Sequence, residues 1–187
     1  MRYVFSICVM LFLAGCNYWS TALSGMHKIG TVLWDDRTVE YDFTDTVLNV
    51  NLRNELIQYD PKLGLDVEIT VFKGDVLLTG AIPSVEVITN ILEIVWKEKG
   101  VKKVYNYLRI AEPLDLLTVQ EDAFIPSLIR TQLAITDKIK SANYKLTMEN
   151  KVIYIMGQKE SKEELEKVFS VIKATPGVEK IISLIDE

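Results

Sequence analysis

The sequence predicts an α+β protein: two tandem αββαβ units, each a small three-stranded mixed sheet with two helices on one face. Three observations lead there. Shifting the chain by 77 positions lays residues from about 46 on over residues from about 123 on, without a gap for about 60 residues: Arg53 falls on Arg130, Leu56 on Leu133, Asp60 on Asp137, Gly80 on Gly157, Gly100 on Gly177 and Val104 on Ile181. Within each unit the apolar spacing switches from the helical period to the strand period and back. The first fifteen residues read as a leader and stand apart from both units.

Elements of the first unit, residues 46–111, follow from local chemistry. Asp45 or Thr46 is a good N-cap, and Leu48, Leu52 and Leu56 recur every four residues, as on one face of a helix. Tyr59-Asp60-Pro61 stops that helix. Val67, Ile69 and Val71 alternate with Glu68 and Thr70, the pattern of a half-buried strand. Lys73-Gly74-Asp75 is a turn, and Val76 to Thr79 returns as the hairpin partner, ended by Gly80. Pro83 suits the first turn of a second helix that buries Val85, Ile88, Leu92 and Val95 and meets Gly100 as its C-terminal cap. Val104 to Arg109 is the last strand. After a linker at 112–119, the second unit (120–187) repeats the order: helix 123–135, strands 144–148 and 152–156, helix 161–174, Gly177, strand 180–185. A β-α-β crossover places its strands parallel. Units of about 65 residues are marginal alone, so the two copies are expected to pack on each other.

The start of the chain has a different character. Arg2 precedes an apolar run from Tyr3 to Leu13, and small residues lead to Cys16. Charged start, apolar centre and small-residue cleavage site are the layout of a secretory signal peptide over residues 1–15. The run falls short of the ~20 apolar residues that a membrane-spanning helix needs. Residues 16–45 read as the mature N-terminus and a tether, with Trp19 either at a membrane interface or incidental to a disordered segment. Cys8 leaves with the leader, so Cys16 is the one cysteine remaining and no internal disulfide can form. Cleavage before Cys16 removes Arg2 alone among charged residues, which takes the net charge from −5 to −6.

Leu13-Ala14-Gly15-Cys16 resembles the lipobox of bacterial lipoproteins. That resemblance implies acyl chains, palmitate among them, on Cys16, and at least two chains make anchoring stable. Asn17 in place of the inner-membrane retention Asp implies the outer membrane, with the protein facing the periplasm. The αββαβ units resemble the BON domain (bacterial OsmY and nodulation), whose glycine between second strand and second helix matches Gly80 and Gly157. A lipobox with two such domains is similar to the dual-BON outer-membrane lipoprotein family of the DolP/YraP type. Asp36-Arg37-Thr38-Val39, Val104-Tyr105-Asn106 with Arg109, and Arg130-Thr131-Gln132-Leu133 carry the likeness. Glu40 departs from the family, which tends to have Gly there. The resemblance implies phospholipid binding and support of envelope integrity.

The internal repeat points to a surface. Apolar pairs such as Leu48/Ile125, Leu52/Ile129 and Leu56/Leu133 mark the core. Phe124, Leu128 and Ile135 instead stand where the first copy has Val47, Asn51 and Gln58, on successive turns of one helical face. An apolar stripe there either enters a lipid interface, with Arg130, Lys138 and Lys140 near phosphate groups, or packs against domain one or a partner protein. Arg53 and Arg130 recur at equivalent sites, which favours a structural role for both. Gly80, Gly157, Gly100 and Gly177 are expected to be structural.

Other function classes lack their residues. His27 is the sole histidine and sits in the tether, so neither unit can assemble a Ser-His-acid triad or a zinc site. No phosphate loop or Gly-x-x-Gly clamp occurs, and the acidic balance argues against nucleic acid. The expected protein is no enzyme and has no cofactor. Its partners are anionic membrane phospholipid or, alternatively, an envelope biogenesis or cell-wall remodelling protein for which it is an anchored adaptor.

Overall fold

The structure, a computed structural model, describes residues 36–185, with side chains from Thr44 onward. Cys16, Trp19 and His27 lie outside the described residues. The elements run α1 (Asp36–Tyr59), α2 (Leu63–Asp66), β1 (Glu68–Phe72), β2 (Asp75–Ile82), α3 (Val85–Lys97) and β3 (Lys103–Ile110). The second set is α4 (Leu116–Ile135), a 3-10 turn (Ser141–Asn143), β4 (Tyr144–Glu149), β5 (Val152–Gly157), α5 (Lys162–Ala174) and β6 (Lys180–Ser183). Each sheet has its β-hairpin antiparallel and its crossover strand parallel, in the orders β1-β2-β3 and β4-β5-β6. The expected α+β fold with two mixed sheets is what forms.

Strand alternation decides which face each sheet gives to its helices. Val67, Ile69, Val71, Val76, Leu78 and Ile82 share one core with Leu48, Leu52 and Leu56 of α1 and Ile91 and Val95 of α3. The equivalent core of the second unit joins Ile125, Ile129 and Leu133 of α4 to Val168 and Ile172 of α5 across Leu146, Ile153 and Ile155. Both helices of a unit therefore cover the same face. Emptying one such position, as Leu52→Ala would, costs about 2–5 kcal/mol.

The opposite faces cover each other. Leu77, Tyr154 and Met156 are buried together, flanked by Phe72, Tyr105, Tyr107 and Ile182 from both sheets. Tyr107 meets Tyr154 edge to face at 4.9 Å. Thr70 and Thr147, equivalent by the repeat, share a hydrogen bond of 2.5 Å, so the two copies meet about a local pseudo-twofold. Arg109 reaches Glu149 at 2.8 Å across the same seam. The layers are helices, sheet, sheet, helices, and the expected packing of one copy on the other occurs through the sheets.

Several local expectations are corrected. Helix α1 starts at Asp36, so the last ten residues read as tether are helical; no glycine or proline between Gly30 and Pro61 interrupts it. Asp45 lies inside that helix and is no N-cap. Its buried carboxylate accepts N–H bonds from Lys73 and Gly74 and so holds the β1–β2 turn. Asp122 does the same for Asn150 and Lys151 in the β4–β5 turn. Those turns need the help: Lys73, Gly74, Asn150 and Lys151 all have positive φ. Strand β2 passes through Gly80 to Ile82 and does not end at the glycine. Pro83 precedes the N-cap Ser84, so Val85, the first helical residue, is exposed and Ile91 takes the core position. Gly100 and Gly177 fall two residues past the C-caps Glu98 and Thr175. The linker shortens because Asp115 caps α4 at Leu116.

Candidate functional site

Asp115 starts the helix that carries the candidate surface. Its carboxylate accepts the N–H of Leu117 at 3.0 Å and of Thr118 at 3.1 Å. The Thr118 hydroxyl, together with these N–H groups, holds the Asp115 carboxyl below its ordinary range. From there α4 runs to Ile135 with Pro126 inside it. At about 100° per residue, Leu117, Phe124, Leu128 and Ile135 lie within about 20° of one line, along about 27 Å of helix. Core residues Ile125, Ile129 and Leu133 point about 120° round from that line. Exposure agrees: Leu117 is 65% exposed, Phe124 61%, Leu128 40% and Ile135 81%. The stripe is exposed and not buried against the first unit, whose apolar contact with the second runs through the sheets. Domain one does not cover it. Leu117 is not among the residues the sequence points to, because it falls in 112–119, where the sequence predicts a linker. The Asp-Leu-Leu-Thr string at 115–118 was the available signal.

The predicted cations are placed unequally. Arg130 donates to the Leu146 carbonyl at 2.8 Å, tying α4 to the outer strand β4. Arg53 donates likewise to the Gly64 carbonyl at 2.8 Å and pairs with Glu68. Both arginines brace backbone through these carbonyl bonds. Lys140 pairs with Glu160 at 2.5 Å. Lys138 is exposed, with positive φ, in the turn just beyond Ile135, which makes it the predicted lysine nearest in sequence to the stripe.

Behind that turn sits a buried carboxylate that only the second unit has. Burial pushes the Glu164 carboxyl up, but the N–H bonds that it accepts from Lys140 and Glu160 outweigh it and hold it below its ordinary value. Ser161 Oγ accepts the N–H of Glu164 at 3.0 Å, completing the N-terminal cap of α5. Burial, with the Glu164 charge adding to it, drives the Tyr144 phenol far up. The network fixes the segment following α4 to the start of α5, so the stripe is displayed from a rigid base. The four predicted structural glycines all have positive φ. At Gly80 and Gly157 a Cβ would also lie 2.0 Å from the Asp66 carbonyl oxygen and 2.2 Å from that of Asn143. Among the described residues no cluster of His, Cys, Asp and Glu could hold a metal, and no helix is long and apolar enough to span a membrane.

Fold and surface together define a tandem αββαβ repeat protein, its two sheets back to back and one helix of the second copy bearing an open apolar face. The chain belongs to the BON domain family, whose model matches residues 44–112 and 121–186. An Anaplasma centrale protein described as "Uncharacterized protein in gshII 5'region" is 30% identical over 144 residues, 75% of this chain and 93% of its own. The outer membrane lipoprotein DolP of Haemophilus influenzae is 21% identical over 176 residues, 93% of this chain and 89% of that one. The 21 kDa hemolysin of Actinobacillus pleuropneumoniae is 25% identical over 154 residues, 81% and 78% of the two chains.

Proposed function

We propose that this is an outer-membrane lipoprotein, anchored through acylated Cys16 and facing the periplasm, whose second BON domain lies on anionic phospholipid and supports envelope integrity. The observation that carries the reading is the exposed line of Leu117, Phe124, Leu128 and Ile135 on α4. An apolar face of this length on a rigid helix suits the boundary between headgroups and acyl chains, where such faces sink about 5–10 Å. Lys138 stands at its end to meet phosphate. The leader and lipobox at residues 1–16 supply the anchor, and likeness to an outer membrane lipoprotein supports the location. Affinity of the helix need only be modest, because tethering makes its second contact intramolecular.

Co-sedimentation of residues 17–187, which contain every described residue, with anionic and neutral vesicles tests this. Binding to anionic vesicles, lost in a folded Leu128→Asp variant, is expected. Unchanged binding by that variant refutes the assignment of the surface. No vesicle binding by either protein, with a co-purifying envelope protein lost on Leu128→Asp, identifies the anchored adaptor instead.

A further inference from the structure

We propose that the cleft where the β1–β2 turn meets the β5–α5 loop is a second binding site, for a small phosphate-bearing molecule with an apolar tail. The cleft, of about 450 Å³, is rimmed by Lys73, Lys102 and Lys159 and floored by Phe72, Met156 and Leu184. Asp75 is the one carboxylate among its lining residues, so its rim carries a positive excess on a chain whose net charge is −5. The larger groove beside β4 differs: there Glu68, Asp122 and Glu149 outnumber Arg130 and Lys145, and no positive excess remains.

The lysines stand on a braced frame. Asp45 pins the turn that bears Lys73, and the Lys102 N–H donates to the Gly74 carbonyl at 2.9 Å. The Lys102 ammonium donates to the Lys73 carbonyl at 2.7 Å, and the Lys73 ammonium donates to Gln158, which ties the two units across the cleft. Neither Lys102 nor Lys159 pairs with a carboxylate among the described residues. Three ammonium groups on three loops suit a phosphate, which takes several donors at once. The apolar floor gives an attached chain a place to leave water.

The repeat shows that the fold does not require this lining. The positions equivalent to Lys73, Lys102, Lys159 and Phe72 are Asn150, Glu179, Ile82 and Glu149. In that copy Glu149 is closed off by Arg109 at 2.8 Å. One fold thus carries an acidic, self-paired seam at one end of the pseudo-twofold and a cationic, open one at the other.

Titration of residues 17–187 with octyl phosphate and with inorganic phosphate, followed by amide NMR shifts, tests the site. Saturable shifts at Phe72, Lys102 and Lys159 are expected, with octyl phosphate binding about tenfold or more tighter because its tail leaves water. Lys159→Glu should weaken octyl phosphate about tenfold, Lys102→Gln less, and Leu128→Asp not at all. Sedimentation of the same variants with phosphatidylglycerol vesicles separates the sources. Retained vesicle binding by Lys159→Glu makes the ligand a free molecule, and its loss makes it a lipid headgroup. Octyl phosphate affinity unchanged in both lysine variants, or no saturable shift, overturns the proposal.

Discussion

Removing the Asp122 side chain should show how much one buried carboxylate contributes to an entire unit. It accepts N–H bonds from Asn150 and Lys151, the latter at 3.0 Å, and Asp122 itself is 7% exposed. Both turn residues have positive φ, 50° and 62°, without being glycine. A hydrogen bond to a charged acceptor contributes about 1.5–3 kcal/mol. In Asp122→Ala both N–H groups lose their acceptor but can partly hydrate at the turn, so the net loss should be about 3 kcal/mol. For a chain of this size that lowers the melting temperature by about 6–12 °C. Asp122→Asn keeps one acceptor oxygen and should lose about half as much. Urea denaturation reads the change as a shifted midpoint at constant slope. An Asp122→Ala protein within about 0.5 kcal/mol of the parent would refute the claim that the helix carboxylate holds the turn. Lys151→Gly is the complementary probe. It copies Gly74 of the first unit, relieves the positive φ, and should stabilise by about 0.5–1 kcal/mol.

Gly157→Ala should destabilise by more than about 3 kcal/mol, since the new Cβ meets a backbone oxygen at 2.2 Å and strand pairing must yield; circular dichroism melting checks this. Glu164 should confer a pH-dependent advantage over Glu164→Gln. Its folded pKa is lowered, so the advantage is complete above its ordinary value of 4.5 and disappears as pH falls through the lowered one, as urea midpoints from pH 7 to pH 3 would report. A double-mutant cycle on Arg109 and Glu149 should give a coupling of about 1 kcal/mol, because the pair is partly screened by solvent; zero coupling would make the seam a matter of apolar packing alone.

Much of this architecture was legible in the chain. Leu48, Leu52 and Leu56, with their counterparts Ile125, Ile129 and Leu133, announced the core by period, and all six are buried. The period works because a helix or strand presents its apolar residues on one side wherever it lies. The 77-residue offset announced two copies, and the family follows from the same pattern. Boundaries were less legible, because an aspartate such as Asp45 carries the same local signal whether it caps its own helix or reaches a turn 28 residues away. Distant partners also hid the true place of Arg130, whose carbonyl acceptor belongs to another element.

The sequence by itself determined the repeat, the order of elements within each copy and the existence of an apolar stripe on the helix before β4. Only the tertiary structure decided what the stripe faces. Leu77, Tyr154 and Met156 use up the free sheet faces in joining the copies, so the helices are left outermost and Phe124, Leu128 and Ile135 remain open. Local periodicity says which side of an element is apolar. It cannot say which of two apolar sides finds a partner, because that depends on surfaces brought together from residues far apart in the chain.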